Sequence, residues 1–260
     1  MNEIAKLGEF SLDLIQDDAP AFLPVVRFKK GEFLTKIVGE GEEDIRGALF
    51  CPALPTFRET YTAWGDDQPA PLQEIEAFVG FGEMLPAENE LPSYPQRTGF
   101  DGQKVDPWQK GSKIDGFLWA NDTWNAATFA AGTITAMIQV KNAIMQIKKA
   151  ARTYAINDWS PVWVLKPGKV KSDKWGDIHV PGFTLVAFVK ADGTVKETDD
   201  VGKTDLSPLK ELGDNAPTAA VAAERFALPG SAGSTGNSAP QIEQEKPAGA
   251  SDAFDDAIPF

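Results

Sequence analysis

Across residues 159–183 aromatic rings and ammonium groups alternate: Trp159, Trp163, Trp175 and Phe183 are interspersed with Lys166, Lys169, Lys171 and Lys174. Upstream, Trp108, Trp119 and Trp124 lie close to Lys104, Lys110 and Lys113. Rings stack on unpaired bases while lysines neutralise the phosphates between them, and sequence-tolerant capture of a single strand needs both on one surface. Trp119 and Trp163 sit in apolar runs and are expected in the core, whereas Trp108 and Trp175 have polar neighbours and are expected outside it. The expected contact set is Trp108, Lys110, Lys113, Lys148, Lys149, Arg152, Trp159, Lys166, Lys169, Lys171, Lys174, Trp175 and Phe183. The competing reading is plainer: tryptophans filling a core, and lysines on a solvated hairpin.

Catalytic patterns are missing from the sequence. It has no Gly-x-x-x-x-Gly-Lys-Ser/Thr loop, no Gly-x-Gly-x-x-Gly after a strand and no Gly-x-Ser-x-Gly elbow. A single histidine, His179, has no orienting partner for a nucleophile, and one histidine with one cysteine cannot supply a four-ligand zinc site. Cys51, within Ala-Leu-Phe-Cys-Pro, reads as a small buried hydrophobe. The carboxylates of 40–44 and Asp199-Asp200 lack calcium-loop spacing and read as solvated loops. No catalytic residue, metal or cofactor is expected.

The formal charge of −13 argues against a polyanionic ligand only as an average. By segment, residues 1–103 carry a net −11, residues 104–190 a net +6, and residues 191–260 a net −8. A basic middle between acidic flanks is what the charge pattern reports. No run approaches the roughly 20 apolar residues that cross a bilayer, and the first residues lack the order of a signal peptide, so a cytoplasmic protein is expected.

These groups need a scaffold, and the chain reads as mainly β with one central helix (α+β). The helix is expected over 131–155, with Ile134, Ile138, Ile144, Ile147 and Ala151 at mostly three- and four-residue steps and Gly132-Thr133 at its cap. Strands are expected at 22–28, 33–38, 76–81 and 116–119 before it and at 162–165 and 183–189 after it. Pro167-Gly168 and Pro181-Gly182 are read as breaks. That order matches an OB-fold-like barrel with large insertions, in the acidic stretches 40–46 and 66–90. Residues 1–210 would form this domain. Residues 211–251, rich in Ala, Pro, Gly and Ser, would be a flexible linker with a short helix near 218–226, and 252–260 a tip.

In that tip, Phe254, Ile258, Pro259 and Phe260 return among Asp252, Asp255 and Asp256, and a solvated tail has no structural use for them. The run Asp-Ala-Phe-Asp-Asp-Ala-Ile-Pro-Phe resembles the acidic tip of bacterial single-stranded DNA-binding proteins, which ends in aspartates followed by Ile-Pro-Phe; it covers nine of 260 residues. The resemblance implies that the tip recruits replication, recombination and repair proteins. Phe260 and Pro259 would anchor it, Ile258 would flank the anchor, Phe254 is counted with the partner-binding residues, and the aspartates would meet a basic rim. Ala257 stands where the family carries an acid. With a domain unlike the bacterial one, the combination is similar to a bacteriophage protein of this class, working in the cytoplasm of an infected cell. The alternative is a DNA-independent adaptor that captures host replication enzymes through the tip; self-association is open in either reading.

Overall fold

The computed structural model describes residues 23–36, 41–66, 70–99, 102–154, 159–172, 176–190 and 192–212. The linker expected from 211 begins too early, since Glu211 and Leu212 belong to a helical turn and Leu212 is buried in the core; residues 213–251, the tip, Lys174 and Trp175 lie outside the described residues. In chain order the strands are β1 (Val25–Lys29), β2 (Glu32–Thr35), β3 (Glu43–Asp44), β4 (Leu49–Pro52), β5 (Arg58–Ala63), β6 (Gln73–Phe78), β7 (Arg97–Thr98) and β8 (Lys104–Val105). They continue with β9 (Trp108–Ala120), β10 (Thr123–Ala131), β11 (Ser160–Ser172), β12 (Gly176–Val189) and β13 (Val195–Glu197). Helix α1 (Ile134–Tyr154) joins β10 to β11, and a single turn, α2 (Leu209–Leu212), follows β13. Among the described residues no helix is long and apolar enough to cross a membrane.

One sheet runs β13-β12-β11-β4-β9-β10-β1-β2-β3, with β5 and β6 attached along β9, and β7–β8 form a separate ribbon. Pairing is antiparallel except between β1 and β10. β3 ends this order while β4 sits in its middle, yet only Ile45–Ala48 separate them, so the sheet must curl back on itself. Backbone bonds mark the closure: Ile45 donates to the Phe33 carbonyl at 2.8 Å, Gly47 to Leu165 at 2.8 Å, and Leu165 to Ala48 at 3.0 Å. The result is a half-barrel of curled sheet with α1 against it. The set β11-β4-β9-β10 has the 4-1-2-3 order of a Greek key, with α1 as the long return from the third strand to the fourth.

Strand alternation sends side chains to two cores. Phe50, Trp163 and Leu165 point inward with Val26, Phe33, Ile114, Leu118, Phe129 and Phe183, while Leu49, Cys51, Val162 and Val164 build an outer core with Phe117, Val186, Leu209 and Leu212. Strands buried on both faces read as continuous apolar runs, which is why β4 appears in the sequence as Leu-Phe-Cys-Pro.

Two expectations need correction. α1 buries Ala136, Val140, Ala143 and Ile147, whereas Ile134 and Ile138 are exposed; the small alanines let the helix approach the curled sheet closely. The Pro-Gly pairs do not break the last two strands. Pro167 faces Pro181 and Lys166 faces Gly182 within a continuous ladder. Beyond Leu165, β11 bonds only to β12, so both prolines turn their missing donor to an open edge.

Candidate nucleic-acid interface

Past Leu165 the strands β11 and β12 leave the sheet as a two-stranded ribbon. Alternation from the buried Leu165 carries Pro167, Lys169 and Lys171 to the inward-turning face, while Lys166 lies on the other. Opposite them on β12 the register places His179 across from Lys169 and Asp177 across from Lys171. The chain between Ser172 and Gly176 contains Lys174 and Trp175.

The inner face of this ribbon meets the β1–β2 turn. A Cβ built on Gly31 would stand 3.0 Å from His179 Nδ1, so the imidazole rests on bare backbone. Lys30 and Gly31 both take positive φ, 55° and 88°, the twist a two-residue hairpin turn requires. The contact brings Lys29 and Lys30 to the side of Lys169 and His179. All four side chains are exposed, and none of these lysines has an ion-pair partner among the described residues. Sequence reading missed Lys29, Lys30 and His179. The Lys-Lys-Gly turn was visible, but its docking site lies about 150 positions downstream.

The other expected residues do not join this surface. Trp159 precedes β11, and ten residues of strand, about 33 Å, separate it from Lys169. Its half-buried ring carries the Lys190 ammonium at 4.9 Å, and nearby Lys196 lies 5.1 Å from the Tyr154 ring. Lys148, Lys149 and Arg152 stand exposed on the last turns of α1. They face solvent without ion pairs among the described residues, at the helix end rather than on the ribbon.

Phe183 is a correction outright. Its ring packs 5.0 Å from Trp163, 5.1 Å from Phe129 and 6.2 Å from Phe33, inside the core, because it stands cross-strand from inward-pointing Leu165. Lys113 is a second: its ammonium is held between Glu74 at 2.6 Å and Glu76 at 3.0 Å, leaving no charge for a phosphate. Trp108 is half-buried against Tyr61 and Tyr94 and donates its indole N–H to the Pro92 carbonyl at 2.8 Å. Lys110 leans over the Tyr61 ring, with Glu59 at 3.9 Å. Trp163 and Cys51 are buried as expected; the Cys51 thiol donates to the Pro161 carbonyl at 3.2 Å, and burial pushes its pKa well up.

A division of charge results. Several cations are committed to carboxylates: Arg27 to Glu42, Arg46 to Asp44, Arg58 to Asp115 and Glu76, and Lys104 to Asp66. Among the described residues, Lys29 and Lys30 of the β1–β2 turn and Lys169 and Lys171 of the ribbon have no ion pair. Compared with protein-family models, curated proteins and solved structures, the chain matches none of them.

Proposed function

We propose that this protein binds single-stranded DNA without reading its sequence, through the β11–β12 ribbon and the β1–β2 turn, and that Asp252–Phe260 offers a docking peptide to replication, recombination and repair proteins. The observation that carries this reading is the set of exposed lysines without an ion pair among the described residues, Lys29, Lys30, Lys169 and Lys171, which the docking of the β1–β2 turn against His179 brings to one side of the ribbon. Affinity for a polyanion comes from cations free to displace its counterions, so pairing status matters more than the net charge of −13.

Fold supports the same surface. A five-stranded Greek-key barrel of OB type has its helix between the third and fourth strands and binds oligonucleotides through loops that include the connection of the fourth and fifth. Taking β4, β9, β10, β11 and β12 as those five, the connection is the ribbon's tip, which carries Lys174 and Trp175. The β1–β2 hairpin then stands between β10 and the ribbon, and residues 53–107 are an insertion between the first two strands. The protein acts by coating a strand, with no bond made or broken.

Anisotropy of a dye-labelled poly-dT oligonucleotide tests this at two salt concentrations. The wild-type chain should bind, and Lys169→Glu/Lys171→Glu should weaken binding at low salt. The double variant should also flatten the slope of log K against log salt by about 1.4, at about 0.7 per phosphate contact on a single strand. Trp175→Ala should cost roughly 1–3 kcal/mol if that ring stacks on a base. An oligonucleotide that the intact chain ignores would sink the proposal and leave the adaptor reading; equal slopes for wild type and double variant would move the site elsewhere.

A further inference from the structure

α1 has a second organised face, opposite the one it buries. Ile134, Ile138, Lys141, Met145, Lys148 and Arg152 follow one another at four- and three-residue steps. The three apolar members are 72%, 49% and 55% exposed, so the outward stripe is apolar over its first three turns apart from Lys141 and basic after them. No carboxylate occurs anywhere in the helix, and among the described residues only Lys141 of its four cations is paired, with Glu59 at 2.6 Å. Whatever covers this stripe must supply both apolar side chains and carboxylates.

Residues 1–22, outside the described residues, have that composition. Ile4, Leu7, Phe10 and Leu14 fall at three- and four-residue steps with Ile15 beside them, and Glu3, Glu9, Asp13, Asp17 and Asp18 outnumber the single Lys6. Their tether starts at the sheet against which α1 packs. Leu23 packs on the outer core and the Pro24 carbonyl accepts from the Thr128 amide at 2.9 Å. From Thr128, β10 runs to Ala131 and α1 begins at Ile134, six residues on and at most about 20 Å away.

We propose that residues 3–18 pack as a helix antiparallel to α1 on this outward stripe. Leu14 lies against Ile138, Leu7 against Met145 and Glu3 beside the Lys148–Arg152 cations, while Asp17 and Asp18 reach the N-terminal end of α1, where the helix dipole favours anions. The lengths agree: residues 3–18 as a helix span about 24 Å and the stripe from 134 to 152 about 27 Å. Asp252–Phe260 is also apolar and acidic. It is tethered, however, through residues 213–251, whereas only 19–22 separate this segment from the described residues, and effective concentration falls with about the three-halves power of tether length. The inference stands apart from the nucleic-acid reading and does not rest on it.

The test follows the alkylation of Ile138→Cys in the full chain, the native Cys51 being buried. Adding Leu7→Asp/Leu14→Asp, changes outside the described cores, should accelerate labelling about tenfold, and deleting 252–260 should not change it. Unchanged labelling with the aspartates, or acceleration by the deletion, overturns the assignment. Independently, mild oxidation of Leu14→Cys/Ile138→Cys should give an intrachain disulfide in peptide mass spectra. An exclusively interchain bond would show that a second copy covers the stripe, and no bond would refute the register; either result overturns the proposal.

Discussion

Arg58 shows how a polar residue can be placed in a wall of apolar strands. Its guanidinium donates to both Asp115 oxygens, at 2.8 and 3.2 Å, and to the Thr56 carbonyl at 3.1 Å, while Nε lies 2.9 Å from Glu76. Asp115 also accepts the Thr128 hydroxyl at 2.6 Å, and its backbone amide donates to Thr56 Oγ1 at 2.8 Å. Removing one partner of a buried pair strands the other charge, so Asp115→Ala should cost about 3–5 kcal/mol. Arg58→Met/Asp115→Leu should lose distinctly less in urea denaturation. Equal losses would mean that the cost lies in packing and not in the stranded guanidinium. Glu76 adds a pH dependence: burial pushes its carboxyl up, but Arg58 and Lys113 outweigh burial and hold it below the ordinary value. With the folded pKa depressed, its stabilisation is complete above the unfolded value, about 4.3, and is lost as pH falls through the folded one. Thermal midpoints followed from neutral to acid pH should therefore fall less steeply in Glu76→Gln than in wild type; parallel acid limbs would contradict this.

At the scale of elements, local chemistry was legible and long-range contact was not. The helix expected at 131–155 is Ile134–Tyr154, and Thr133 Oγ1 accepts the Ala136 amide at 3.2 Å, the cap its position announced. Which face it buries was misread, because size and hydrophobicity point to isoleucine while the fit to a curved sheet selects alanine. β10 passed unread: in Thr-Trp-Asn-Ala-Ala-Thr-Phe-Ala-Ala four alanines and an asparagine interrupt the strand formers, and the segment is held by its place between β9 and β1. In the candidate site the ribbon lysines were legible as a charged, aromatic run, whereas Lys29, Lys30 and His179 depend on a turn docking far along the chain. One crossing admits no side chain. A Cβ on Gly116 of β9 would stand 2.5 Å from the Cys51 carbonyl oxygen and 2.9 Å from Pro52 Cα, both backbone atoms of β4. Gly116→Ala should thus force β4 and β9 apart and cost about 1–3 kcal/mol, the usual toll of overpacking. A melt unchanged from wild type would show that β4 gives way freely.

Over the whole molecule, acidic and basic regions share one chain, and the same cations that would meet phosphate can meet the protein's own carboxylates. The ribbon and the β1–β2 turn hold unpaired lysines, and Asp252, Asp255 and Asp256 end a chain joined to the described residues by 213–251. On the proposed reading, in which 213–251 link the tip to the DNA-binding surface, the terminal carboxylates compete with weak ligands for these lysines at an effective concentration set by the length of that link. Deleting Asp252–Phe260 should therefore tighten oligonucleotide binding at low salt. The advantage should shrink as the Debye length falls from about 30 Å at 0.01 M toward 3 Å at 1 M, since screening weakens the tail's attraction for exposed lysines. Anisotropy titrations of the intact and shortened chains across a salt series measure it directly. Converging curves at high salt are expected; a constant ratio at every salt would mean that the deletion acts through something other than charge, and identical curves throughout would mean that the tail never competes for these cations.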